Sequence, residues 1–166
     1  MKHPRSLELP DETPGRVWLH SMPGTMEPLD EFIGWAVDQK VDTVVCLNPR
    51  RELEHSSRGY AVKMADGSLP WQTLHHPVPN MCAPADVREY VGTVREVADR
   101  VRAGRRLVIH CAYGIGRTGM TAAALLMTLG CSRSDACERV VKAGSMAETD
   151  DQLGVLEAFE PMADSA

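Results

Sequence analysis

The chain is poor in aromatic residues: phenylalanine, tryptophan and tyrosine together make up 5% of its 166 residues. Its interior must therefore come mainly from aliphatic side chains, alanine and methionine. Long apolar runs are also missing, and nothing approaches the ~20 residues that a membrane-crossing helix needs. The opening Met1-Lys2-His3-Pro4-Arg5 leads into polar, proline-containing sequence rather than the apolar stretch of a secretory signal. Positive charge is not in surplus: 18 Lys and Arg against 23 Asp and Glu leave a net charge of −5. That balance argues against nucleic acid or an anionic membrane surface as the main partner, although a local anion site remains compatible with it. The five cysteines (Cys46, Cys82, Cys111, Cys131, Cys137) form no even framework and no metal-ligand spacing. No metal or other cofactor is therefore expected, and a reducing, cytoplasmic setting is.

What remains is an ordinary globular composition, 43% hydrophobic and 25% charged. No repeat, linker or low-complexity segment divides it. A single monomeric domain over residues 15–166 is expected, preceded by a flexible lead-in over 1–14 that carries Pro4, Pro10 and Pro14.

Short β-branched or alternating runs predict strands at 16–20, 42–47, 71–78 and 107–109. Helical spacing predicts helices over 28–40 and from Pro84 to about Ala103, with a short one near 58–65. Ser132 and Thr149 are candidate caps for two further helices. The stretch 48–57 is polar and reads as loop. Strands alternating with helices predict an α/β fold, a mostly parallel central sheet flanked by helices on both faces.

One stretch organises the rest. After Leu107-Val108-Ile109 come His110-Cys111-Ala112-Tyr113-Gly114-Ile115-Gly116-Arg117-Thr118-Gly119, and then the helix-forming run Met120–Met127. A strand, a glycine-rich loop and a helix start make an anion site, because backbone N–H groups converge where the helix dipole is positive. A thiolate at Cys111 is stabilised by the same amides, which makes it a candidate nucleophile. Arg117 offers a planar fork for two oxygens of a phosphoryl group, and Thr118 has a hydroxyl to donate to the sulfur. Ala112, Tyr113, Gly114, Ile115 and Gly116 then supply the loop backbone that wraps the anion.

The sequence Cys111, five residues, Arg117-Thr118-Gly119 resembles the phosphate-binding loop of the cysteine-dependent protein tyrosine and dual-specificity phosphatases. The resemblance extends to Gly15–Leu19 with Ser21–Gly24, and to Ala147–Gln152 near the end. Cys46–Leu53 and His75–Pro79 look most like the kinase-associated phosphatase branch. The resemblance implies a protein tyrosine phosphatase-like fold and hydrolysis of phosphate monoesters through a phosphocysteine. It also implies a phosphorylated protein as substrate.

It further implies an aspartic acid about thirty residues before the cysteine, to protonate the leaving group. Asn80 occupies that position, thirty-one before Cys111, and asparagine cannot act as an acid. Asp86 is the nearest upstream carboxylate; it reads either as that acid or as a charge in the first turn of a helix. Glu52 and Asp66 are more remote candidates. Gln152 resembles the family's late glutamine, a water-positioning residue, but equally fits a capping box with Thr149. His110 reads as a tuning group for Cys111 or a satisfied buried histidine. Cys46 reads as a redox partner of Cys111, as in related phosphatases, or as a small buried hydrophobe. Arg50, Arg51 and Arg58 are candidates for steering an anion. Three alternatives stay open: a phosphate-binding module with poor turnover, motivated by Asn80; an RNA 5′-phosphatase or phosphoinositide phosphatase on the same fold; and sulfur or arsenate chemistry at the thiolate.

Overall fold

A computed structural model describes residues 3–161. Its centre is a five-stranded sheet in the order β1-β2-β5-β3-β4. The strands are β1 (Arg5–Ser6), β2 (Arg16–His20), β3 (Thr43–Cys46), β4 (Gln72–His75) and β5 (Arg106–His110). β2, β5, β3 and β4 run parallel, and β1 pairs antiparallel with β2 at the edge. Alternation along each strand divides the interior in two. Val17, Leu19, Val45, Leu107 and Ile109 face one cluster, and Trp18, Val44, Cys46 and Val108 face the other. A parallel sheet buried on both faces accounts for the near-continuous apolar runs of its central strands.

The first face is covered by α4 (Val87–Arg102), α5 (Gly116–Thr128), α6 (Arg133–Lys142) and the short α7 (Asp150–Val155) with a 3₁₀ turn (Leu156–Phe159). The second face carries α1 (Leu29–Asp38) and α3 (Arg58–Asp66), with α2 (Arg50–Ser56) entering the same cluster through Leu53. α4 forms because Tyr90, Val94, Val97, Ala98 and Val101 recur on one side and are all buried. The Asp86 carboxylate caps its start by accepting the Glu89 N–H at 3.1 Å. In α5 every residue from Gly116 to Met127 is buried, so this helix is the spine of the first face. Its small residues let neighbours approach: a side chain on Gly119 would lie 2.5 Å from the Met146 backbone.

Three expectations are corrected. The lead-in is not loose from Arg5 onward: Arg5 and Ser6 pair with Leu19 and Trp18, and Leu7 is buried. The stretch 50–56 is helix rather than loop. It looks polar because it buries only Leu53, while Arg50 and Glu54 pair at 2.8 Å along its exposed side. α5 also begins at Gly116, inside the glycine-rich stretch and four residues before its apolar run. Residues 1–2 of the lead-in and 162–166 of the domain lie outside the described residues.

Candidate active site

β5 ends at His110 and α5 begins at Gly116, so residues 111–115 form the turn between them at the carboxyl end of a central parallel strand. Such sheets bind ligands at that end. The turn backs against β2. Gly114 has φ +72°, and a Cβ there would lie 2.5 Å from the His20 carbonyl oxygen and 2.8 Å from the Ser21 nitrogen. Only glycine tolerates both the left-handed backbone and the contact. Met22 N–H also donates to the Ala112 carbonyl at 3.1 Å, tying the turn to the chain after β2.

Cys111 is buried, with 3% of its surface exposed, and the Thr118 hydroxyl donates to its sulfur at 3.1 Å. That hydroxyl is aimed at the atom that carries negative charge when the sulfur acts as a nucleophile or leaving group. Arg117 is 2% exposed and held by four acceptors. Its Nη1 donates to Glu52 Oε1 at 3.0 Å and to the Val78 carbonyl at 2.8 Å. Its Nη2 donates to Glu52 Oε2 at 3.0 Å and, at 3.4 Å, to Asn80 Oδ1. Glu52 is steadied in turn by the Asn48 side-chain amide at 2.8 Å, and His75 donates to the Asn48 carbonyl at 2.7 Å. The residue expected as a remote acid is therefore the partner that aims the arginine. Placing it required α2, which the sequence pattern hid.

His110 is wholly buried. Its Nε2 lies 2.9 Å from the Tyr60 hydroxyl, and its Nδ1 faces the Cys111 carbonyl at 3.4 Å. Burial pushes its pKa down to about 3, so the ring is neutral at ordinary pH. A neutral ring satisfies both neighbours when Tyr60 donates to Nε2 and the Nδ1 proton points at the carbonyl. Cys46 pairs with His110 across β3 and β5, and burial pushes its thiol up to about 12.

Gln152 is buried beneath the start of α7. Its Oε1 accepts the Glu148 N–H at 2.8 Å, its Nε2 reaches the Cys82 carbonyl at 3.4 Å, and its backbone N–H bonds the Thr149 hydroxyl at 3.2 Å. The expected capping pair is present, with the glutamine reaching back one residue further than in a standard box. Its Oε1 also lies 3.3 Å from where a Cβ on Gly116 would stand. The Glu148 carboxylate crowds that same position. Glu148 is thus an exposed acid against the first residue of α5, and sequence reasoning missed it because the resemblance directed attention to Gln152. Asp86 serves as the α4 cap. Asp66 closes the turn after α3 by accepting from Ser68 N–H at 2.9 Å, and the Ser68 hydroxyl, together with that N–H, lowers its pKa. Among the described residues Asp66 has no hydrogen bond or ion pair to the loop, and Arg50 pairs with Glu54 at an exposed site.

A thiol with a donated hydrogen bond, a clamped guanidinium and a loop of amides at a helix start can attack and hold a phosphoryl group. The comparisons agree with that chemistry. Residues 13–162 match the model of a family described as PTP-SAK, a Swiss Army Knife protein, DSP-PTPase phosphatase domain. No curated protein matches the sequence. Among solved structures, Tk-PTP in its active form is 31% identical, covers 90% of this chain and 94% of its own, and superposes with a TM-score of 0.71. Kinase-associated phosphatase, solved with its catalytic cysteine replaced by serine, shares the fold with a TM-score of 0.80 at 20% identity, over 95% of this chain and 93% of its own. PTPMT1 in complex with PI(5)P shares it at 0.68 and 21% identity, over 86% and 88%. The chain belongs to the DSP-PTPase domain family and is a cysteine-dependent phosphatase.

Proposed function

We propose that the enzyme hydrolyses phosphotyrosine or phosphoserine/threonine in proteins through a phosphocysteine on Cys111. The observation that carries this reading is the Thr118 hydroxyl donated to the Cys111 sulfur at 3.1 Å. A module that only bound phosphate would need no stabilised thiolate.

In the first step the thiolate forms an S–P bond while the P–O bond to the leaving group breaks. In the second, a water oxygen bonds phosphorus, the P–S bond breaks and the thiolate is regenerated. The Arg117 Nη1/Nη2 end is committed to Glu52, so the edge left for two phosphoryl oxygens is Nε with the outer proton of Nη2. Asn80 Oδ1 sits at that outer proton with the longest of the four bonds, 3.4 Å, and is the acceptor a phosphoryl oxygen displaces. Rotated, the same amide donates through Nδ2, so Asn80 binds phosphate where it cannot protonate a leaving group.

The proton falls to another group. Glu52 clamps Arg117 and Asp86 caps α4, whereas the Glu148 carboxylate has no hydrogen bond to a described residue. In this reading the Glu148 carboxyl group, set against the first residue of α5, hands its proton to the leaving oxygen as the P–O bond breaks. The carboxylate then accepts one from the attacking water.

The loop segment 112–116 carries no lysine or arginine, and the chain is acidic. Both features favour a singly phosphorylated protein over a highly phosphorylated inositol or an RNA end. All five cysteines are free thiols, which suits a reducing, cytoplasmic setting. The test is phosphate release from a small aryl phosphate by wild type and by Cys111→Ser. We expect activity that the substitution abolishes. Hydrolysis surviving Cys111→Ser overturns the thiolate mechanism. A wild type that binds vanadate but releases no phosphate between mildly acidic and mildly basic pH favours the second reading, a phosphate-binding module, which Asn80 supports.

A further inference from the structure

We propose that Arg5, on the edge strand, is a positioning residue for the phosphate loop, so that β1 is part of the catalytic apparatus. It lies eight residues before the segment that matches the family. Nothing in the loop motif or in that domain assigns it a role.

The geometry is specific. Arg5 Nη2 donates to the Gly114 carbonyl at 2.6 Å, in the middle of the loop. Its Nη1 donates to the Ala143 carbonyl at 2.6 Å and to the Ser145 hydroxyl at 3.0 Å. Ser145 is 2% exposed, and its hydroxyl donates to the same Gly114 carbonyl at 2.6 Å. One carbonyl thus receives two short hydrogen bonds from outside the loop, one of them from a cation. Pairing of Arg5 with Leu19 fixes the strand end from which the arginine reaches. Ala143 closes α6, where carbonyls lack intrahelical partners and a guanidinium is favoured.

The consequence follows from the planarity of the peptide. All peptide bonds of the described residues are trans, so the carbonyl of Gly114 and the N–H of Ile115 point in opposite directions. Drawing the carbonyl toward Arg5 and Ser145 aims the N–H the other way. A loop binds an anion only if its carbonyls turn outward and its amides inward, and glycine at 114, with φ +72°, leaves that peptide the freest to rotate. Arg5 and Ser145 hold this peptide in the binding orientation before substrate arrives. Arg5 also brings a charge without a carboxylate partner among the described residues. Burial lowers its pKa and the Cys111 charge raises it again, which marks guanidinium and thiolate as electrostatic neighbours.

The proposal rests on the phosphatase reading, and its test uses two readouts that need no turnover: vanadate affinity, and alkylation of Cys111 by iodoacetamide at neutral pH followed on its peptide by mass spectrometry. Arg5→Ala should bind vanadate roughly tenfold to a hundredfold more weakly, the size of effect lost with charged hydrogen bonds. It should also be alkylated more slowly, and millimolar guanidinium should restore part of both. Arg5→Lys keeps the charge but cannot bridge Gly114 and Ala143 as a fork does, so it should recover alkylation more than vanadate affinity. A brace that merely stabilised the fold would lower the melting temperature and leave both readouts unchanged below it. Folded Arg5→Ala with vanadate affinity and alkylation within twofold of wild type overturns the proposal. Should Arg5→Ala fail to fold, Arg5→Lys and Ser145→Ala replace it, and unchanged vanadate affinity in both overturns it equally. A wild type that binds no vanadate instead sinks the phosphatase reading.

Discussion

Both carboxylate oxygens of Glu52 accept hydrogen bonds from Arg117, each at 3.0 Å, and the arginine is 2% exposed while the glutamate side chain is 29% exposed. The pair joins α2 to the first turn of α5. It therefore sets the direction of the guanidinium before any phosphate arrives, at the cost of filling one end of the fork.

Removing the carboxylate should leave a buried cation looking for an anion. Glu52→Gln is expected to cost about 1–3 kcal/mol of stability, less than for a fully buried pair because Glu52 is partly solvated. Vanadate should recover more melting temperature in this variant than in wild type, since the bound anion replaces the missing charge. Thermal unfolding with and without vanadate checks it. Equal ligand-induced shifts would mean that Glu52 does not compensate Arg117.

The loop itself was legible in the sequence because strand, glycines and helix-forming run are local signals, and Arg16–His20 emerged as a strand with the expected bounds. What was hidden depends on partners far along the chain. α2 buries a single apolar side chain, so its periodicity vanishes among charges. β1 is two residues long and exists only through Leu19 and Trp18. The bonds from Arg5 to Gly114 and Ala143 span more than one hundred residues, and no pattern near Arg5 announces them. Asn80 was legible as a departure from the family. That it holds Arg117 was not, because the contact needs the loop after β4 folded over the α5 terminus.

The two carboxylates weighed as the acid, Asp86 and Glu148, separate by substitution. Asp86→Asn preserves a good helix cap and removes the acid, so it should leave kcat within a factor of about two to three and stability nearly unchanged. Glu148→Gln should lower kcat by about 10²-fold or more for a poorly activated aryl phosphate, the range typical of acid–base groups. For a substrate whose leaving group needs no proton, the first step should be spared, and pre-steady-state bursts would show the slow second step. The basic limb of the pH–rate profile, where a general acid has lost its proton, should flatten in Glu148→Gln. A large loss in Asp86→Asn with little in Glu148→Gln would transfer the role to Asp86.

His110 makes a prediction about stability and pH. In the fold burial holds its pKa near 3, against 6.5 for a free histidine. Below 6.5 the unfolded chain takes up a proton that the folded ring refuses, so stability falls as pH drops from about 6.5 toward 3. The slope from this one group approaches about 1.4 kcal/mol per pH unit once the unfolded histidine is protonated. His20 and His76 are shifted down by burial as well and add to the same trend. Urea unfolding between pH 4 and 8 should therefore show wild type losing stability on the acid side, and His110→Gln should have a shallower slope by about one proton. An unchanged slope would show that the ring takes its proton within the fold.

Cys46 raises the question of oxidation. Trapping a Cys111 sulfenic acid requires a second thiolate to attack its sulfur, forming the S–S bond and expelling hydroxide, which leaves as water. With burial pushing its thiol to about 12, Cys46 is almost never that thiolate at neutral pH. The ionised fraction is roughly one in 10⁵, too small for the reaction to compete with further peroxide. Mild peroxide should therefore carry Cys111 to a sulfenic acid that dimedone captures and then to a sulfinic acid, with Cys46 still reduced. Peptide mass spectrometry at successive times would read both. A Cys46–Cys111 crosslink appearing within minutes would mean that the strand end opens on oxidation and that burial in the resting enzyme does not govern its chemistry.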